Sequence, residues 1–174
     1  MGKKMAFTGH RPNKLYGYDL ESEGNVKLSN MVREQLLEEI ENGFDHFITG
    51  MAMGADMLMA IEVLVLRQEG YNIKLECAIP CENHTKKWTV GYQDLWSKIV
   101  EDADIVTYVS DKPYTAWCMQ KRNEYMVDNA DKMLGIYDGT KGGTGNCVDY
   151  ANKKYIGGIY IDPKTFEMTE ISFE

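Results

Sequence analysis

Positive charge is scarce in this chain: 19 Lys and Arg stand against 27 Asp and Glu in 174 residues, a net charge of −8. General attraction to nucleic acid depends on neutralising phosphates with basic side chains, so this balance opposes it while leaving room for a local basic pocket. Long apolar runs are also missing. The longest, around Ile61 to Leu66, is broken by Glu62, and no run is long enough to cross a bilayer. The N-terminus has no basic segment followed by an apolar one, so no export signal is read and a cytoplasmic protein is expected. Cysteine is limited to Cys77, Cys81, Cys118 and Cys147, which fits a reducing compartment and packing roles. Cys77 and Cys81, with His84 nearby, form a metal-like cluster whose spacing matches no zinc signature. Neither a metal nor a cofactor is therefore expected. No Lys-Ser or Lys-Thr pair follows Gly54, which argues against a P-loop ATPase.

What is present suffices for one domain over residues 1–174, a length that supports a real core. An apolar share of 44% argues against general disorder. Strand-like segments are expected at 4–7, 44–49, 73–79, 104–110, 132–137 and 156–161. Helical ones are expected at 27–42, after Gly54, and at 92–103, 116–131 and 148–153. In the first helix Leu28, Val32, Leu36 and Ile40 share one face and Gly43 follows as a stop. Residues 13–24, rich in Gly, Tyr and charge, read as an exposed loop. Thr165 to Phe173 alternates like an edge strand, and Asp162-Pro163-Lys164 can turn the chain into it as a hairpin. The order predicts an α/β fold: a mostly parallel sheet with helices on both faces and a C-terminal edge hairpin.

Right-handed connections bring the loops that follow the strands to one edge of such a sheet, where open α/β sheets bind ligands. That edge collects Thr8 to Arg11, Gly50 to Asp56, Pro80 to His84 and Gly139 to Asn146. Pro12 forbids helix at Arg11, so His10 and Arg11 are displayed at a strand end; Arg11 suits a phosphate or ribose, or equally a surface carboxylate. Gly50 and Gly54 bracket a turn that enters a helix N-terminus, the geometry of a phosphate seat. The glycine-dense run Gly139 to Gly145 is a second such seat. Asn123 lies on the apolar face of its helix with Met119, Met126 and Ala130, so it needs hydrogen-bond partners; Arg122, roughly 100° around, can reach the rim. Glu62 stands among apolar residues and must find a partner, an Arg or Lys or a ligand hydroxyl. Trp88, Tyr92 and Trp96 recur on one helix face, which reads as core, or as a wall on which a base stacks.

Four motifs together resemble the SLOG superfamily, the Rossmann-like group of DNA-processing protein A and the LOG nucleotide hydrolases, and within it the YpsA-like branch of bacterial and phage proteins. They are Thr8-Gly9-His10-Arg11-Pro12, Gly50 to Asp56 with Glu62, Gln120-Lys121-Arg122-Asn123, and Tyr137-Asp138-Gly139 with Gly142-Gly143-Thr144. The resemblance implies a Rossmann-like pocket for a nucleotide or a derivative such as an ADP-ribose-like molecule, a sensor or regulator role, and a homodimer. The implied binding residues are Thr8, Gly9, His10, Arg11, Gly50, Met51, Gly54, Ala55, Asp56, Glu62, Arg122, Asn123, Gly142, Gly143 and Thr144. LOG enzymes cleave the N-glycosidic bond of nucleoside monophosphates with a Pro-Gly-Gly-x-Gly-Thr-x-x-Glu run and an Arg on the preceding helix. Here Lys141 replaces the Pro, Asn146 the Thr and Asp149 the Glu, while Arg122 matches the Arg. The shorter Asp149 retracts the carboxylate, and catalytic placement tolerates little slack, so binding ranks above phosphoribohydrolase activity through Arg122 and Asp149. Single-stranded DNA binding ranks third because of the acidic charge.

Overall fold

Alternation of side chains decides how the sheet is buried. In β1 (Lys3–Gly9), Met5 and Phe7 enter one apolar cluster and Ala6 the other. The same split separates Phe47 from Ile48 in β2 (Phe44–Thr49) and Leu75 and Cys77 from Ala78 in β3 (Lys74–Ile79). It also separates Leu134 and Ile136 from Met133 in β5 (Lys132–Ile136). Strands apolar on both faces need cover on both sides. The computed structural model, which describes residues 2–173, supplies it. Helices α1 (Glu23–Glu41), α2 (Ala55–Gln68) and α3 (Val90–Asp102) close over the face of Phe7 and Phe47, whose rings stack at 5.9 Å. Helices α4 (Ala116–Asp128) and α5 (Gly143–Lys153) close over the face of Ala6 and Ile48.

With β4 (Ile105–Tyr108), β6 (Gly158–Ile161) and β7 (Met168–Ile171), the sheet has seven strands in the order β4-β3-β2-β1-β5-β6-β7. The first six pair in parallel, and β7 returns antiparallel along β6. The chain thus runs outward from β1 to β4, then crosses back to place β5 on the other side of β1. A crevice opens at that reversal, beyond the carboxyl ends of β1 and β5. The expected edge hairpin is present: Asp162 N–H donates to Glu167 O at 2.9 Å and Phe166 N–H to Asp162 O at 2.7 Å.

Three local expectations are corrected. The segment 13–24 is pinned rather than free. It begins in a 3-10 turn at Pro12–Lys14, and α1 starts at Glu23 rather than Lys27. The buried Asn25 amide accepts from Tyr16 N–H (3.2 Å) and donates to Gly17 O (3.1 Å) and Asp19 O (2.9 Å), and the Tyr16 ring stacks on Phe166. Helix α5 starts at Gly143, several residues before Val148, so much of the glycine run belongs to its first turn. Trp88 precedes α3, and with Tyr92 and Trp96 it packs against the larger apolar cluster.

Glu76 joins the sheet to α4. It is 4% exposed on the α4 side of β3, and its carboxylate meets His46 Nε2 (2.7 Å), Tyr125 Oη (2.6 Å) and Thr107 Oγ1 (2.9 Å). Burial raises its pKa, but these three hydrogen bonds outweigh it and hold the carboxyl at about 2, against an ordinary 4.5. Since the folded value lies below the unfolded one, the stabilisation is present above pH 4.5 and is lost as pH falls toward about 2. Urea unfolding followed from pH 7 to pH 2 is expected to show a loss of roughly 3 kcal/mol from this group. In Glu76→Gln that component of the pH dependence disappears, and stability at pH 7 falls by about 1–3 kcal/mol.

Candidate functional site

The crevice at the switch between β1 and β5 has a volume of about 210 Å³. Its walls are Thr8 to Arg11 with Asn13 and Lys14 after β1, Ala52 and Asp56 before and in α2, Met119, Arg122, Asn123 and Met126 on α4, and Gly142 to Thr144 at α5. Five polar side chains along it are buried: Thr8, His10, Asp56, Arg122 and Asn123. Ten of the fifteen anticipated binding residues therefore meet in one place.

The best anion seat is the N-terminus of α5. Its capping residue, Gly142, takes φ +147°, which favours glycine, and no side chain caps the helix. A Cβ added at Gly139, Gly142 or Gly143 would meet nothing within 4 Å, so the backbone is open to a ligand. Asn123 fixes the seat by donating its amide N–H to Gly143 O at 3.3 Å. This is the partner that a polar residue on the apolar face of α4 required. Lys14 Nζ donates to Thr140 Oγ1 at 2.7 Å, tying the turn after β1 to the glycine run. Arg11 and Lys14 add positive charge to the walls.

The loop after β2 is a different object from the seat expected there. Thr49 Oγ1 donates to Asp56 O at 3.0 Å, Ala52 N–H donates to Asp56 Oδ2 at 3.2 Å, and Ala55 N–H donates to His10 O at 3.1 Å. The Asp56 carboxylate, only 3% exposed, thus folds back on the loop before α2 and sets a negative charge in the helix's first turn. Gly50 and Gly54 serve the protein's own close approaches. A Cβ at Gly50 would lie 2.7 Å from Arg122 Nη1, and one at Gly54 2.7 Å from His10 O. Gly50, Met51, Gly54 and Ala55 accordingly do not line the crevice, and Met51 and Ala55 are wholly buried in the core.

Arg122 is not at the rim. Its side chain is buried, donating through Nη1 to Gly50 O and through Nε to Asn123 Oδ1 at 3.0 Å. Burial lowers the pKa of Arg122 and raises that of Asp56, and each charge opposes the other's shift. His10 is held beside Asp138, with Nε2 to Oδ1 at 2.7 Å. Asp138 also accepts from Thr140 and meets Lys164 Nζ at 3.1 Å, which together hold its carboxyl far below the usual range. Burial lowers the pKa of His10, favouring the neutral imidazole.

Two further anticipated residues lie elsewhere. Glu62 is half-buried on α2, where burial raises the pKa of its carboxyl and the charge of Arg33 on α1 opposes that rise. Asp149 is exposed on α5 beside Gln120, Tyr150 and Lys153, on the outer side rather than in the crevice. Missed were Asn13, Lys14, Ala52, Met119 and Met126. Spacing had already put the two methionines on the face of Asn123, and that shared face was the available signal. Among the described residues no group of three His, Cys, Asp or Glu is placed to hold a metal ion. Cys81 instead lies 2.9 Å from Cys118.

A sheet reversed at β1, with glycine-bearing loops gathered over the reversal, defines a Rossmann-like protein. The solved structures agree on the fold. DNA processing protein A from Helicobacter pylori matches with a TM-score of 0.62 at 16% identity, covering 92% of this chain and 66% of that one. DNA processing protein A from Streptococcus pneumoniae matches at 0.63 and 15% identity, covering 92% and 50%. This chain thus spans from half to about two thirds of those proteins. Residues 5–163 match the family model described as the YspA SLOG family, and the chain belongs to that family, YpsA. An uncharacterized SPbeta prophage-derived protein of Bacillus subtilis, YoqJ, is 36% identical over 138 residues, 72% of this chain and 79% of its own. A UPF0398 protein of Brevibacillus brevis is 27% identical over 139 residues, 79% of this chain and 74% of its own.

The glycines separate the two loops experimentally. Gly54→Ala places a side chain at φ +94° against a backbone oxygen, and is expected to cost at least about 2 kcal/mol in urea unfolding. Gly143→Ala, with open space around its Cβ, is expected to change stability by less than about 0.5 kcal/mol.

Proposed function

We propose that this crevice binds a nucleotide or a nucleotide derivative, such as an ADP-ribose-like molecule, by its phosphate. The observation that carries the reading is the uncapped N-terminus of α5, whose glycine backbone opens onto a crevice walled by Arg11, Lys14 and Arg122. Backbone N–H groups and the helix dipole favour an anion there, and the cations around it reinforce the preference. The location at the switch of a parallel sheet supports the same reading. Ligand-controlled regulation in the cytosol is the role we assign to it, with a homodimer as the working state. For the dimer, the exposed Ile105, Val106 and Tyr108 of edge strand β4 offer a surface, and sedimentation velocity is its test.

Hydrolysis of the N-glycosidic bond is less well supported, because Asp149, the residue matching the LOG carboxylate, faces away from the crevice. Single-stranded DNA is the second reading. The likeness to DNA processing protein A from Helicobacter pylori, whose single-stranded DNA binding mode has been described, favours it, while the net charge of −8 opposes it.

Thermal-shift measurements with AMP, ADP-ribose, NAD and cyclic nucleotides are expected to reveal stabilisation by at least one of them. The same ligand is expected to lose its effect on Gly143→Asp, which sets a carboxylate over the open backbone without meeting neighbouring atoms at Cβ. Stabilisation by none of them, together with a salt-sensitive gel shift of single-stranded DNA, would reverse the ranking of the two readings.

A further inference from the structure

Two thiols meet outside the walls of the crevice at the β1–β5 switch. Cys81 follows Pro80 at the end of β3, and Cys118 lies in the first turn of α4; their sulfurs are 2.9 Å apart and unbridged. Cys77 and Cys147, by contrast, are buried in the two apolar clusters on opposite faces of the sheet. Local contacts hold the pair together from both sides. Glu82 forms a bridge with Pro113, joining the segment after β3 to the one before α4. Thr115 caps α4 by accepting from Cys118 N–H at 3.2 Å, and its carbonyl oxygen lies 3.0 Å from Cys118 Sγ.

A disulfide needs two cysteines that already face each other, because backbone movement to join distant ones is costly. In a reducing compartment such bridges are usually transient and sense oxidants. Cys118 keeps 3% of its surface exposed, and Cys81 backs a second crevice of about 360 Å³ with Glu82, His84, Trp96 and Tyr108. Burial first, then the neighbouring thiol, push Cys81 up to about 12. Its thiolate is therefore scarce at neutral pH, and weak oxidants leave the pair reduced.

We infer that Cys81 and Cys118 are a reversible modification site, joined as a disulfide when the protein meets a hydroperoxide. The Cys118 sulfur, the more exposed of the two, attacks one peroxide oxygen. The O–O bond breaks, and the other oxygen leaves as an alcohol, or as water from hydrogen peroxide, with the thiol proton. The Cys81 sulfur then attacks the sulfenic acid so formed: the S–S bond forms, the S–O bond breaks, and water leaves with the second thiol proton. Two electrons pass from the sulfurs to the peroxide. The bridge staples α4, one turn before Arg122, to the end of β3.

The test is oxidation of the reduced full chain with hydrogen peroxide, then maleimide labelling in denaturant and non-reducing peptide mapping by mass spectrometry. Wild type is expected to fall from the four free cysteines to two. The Cys81 and Cys118 peptides are expected to be cross-linked within one chain, and dithiothreitol to restore all four thiols. The melting temperature is expected to rise by at least about 3 °C on oxidation, because the bridge restricts the unfolded chain between the two cysteines. In Cys118→Ser both changes are expected to vanish; the wild-type map decides alone if that variant does not fold. Four free thiols after treatment, a bridge to Cys77 or Cys147, or a sulfinic acid without a cross-link overturns the assignment. A Cys81–Cys118 bridge that leaves the melting temperature unchanged or lowered overturns the staple.

Discussion

A guanidinium buried as deeply as Arg122 has to be satisfied from within the protein, and much of the crevice follows from that requirement. Desolvating a charge is costly, and in practice it is offset only by close partners of the right kind. Arg122 finds a carbonyl at Gly50, the amide oxygen of Asn123 and the opposing charge of Asp56. The loop after β2 must therefore fold inward around it. Gly50 lacks a side chain because the guanidinium lies where a Cβ would go.

This inward turn decides which helix N-terminus stays free. At α2 a carboxylate of the chain, Asp56, already supplies the negative charge that the helix dipole favours. At α5 nothing of the chain does so, and glycines keep the approach open. The two loops look alike in composition, yet one closes a structural network and the other faces the crevice. Asn123 couples them, since its side chain accepts from Arg122 and donates to the first turn of α5.

The architecture was legible because strands apolar on both faces leave few alternatives to a covered parallel sheet. Thr8 to Arg11, Arg122, Asn123 and Gly142 to Thr144 could be placed at one edge because loops after parallel strands gather there. What could not be read was the purpose of a glycine. Gly50, Gly54 and Gly143 all permit close approach, but spacing does not say whether the approaching group is a ligand or the protein itself. Asp149 was misplaced for a related reason: its motif position was visible, while the face of α5 that it occupies depends on tertiary packing. Helix α5 was placed too late because Gly143 and Gly145 are poor helix formers. Glu62, flagged for its apolar company, lies on the α1 side of α2, a direction that helical periodicity alone does not fix.

The measurement closest to the central claim is a nitrogen–proton correlation titration of the labelled protein with AMP. The account predicts that the amides of Gly142, Gly143 and Thr144 shift first and most, with those of Ala52 and Ala55 little changed because they are already bonded within the protein. Large shifts confined to Met51 through Asp56, with α5 unaffected, would contradict it.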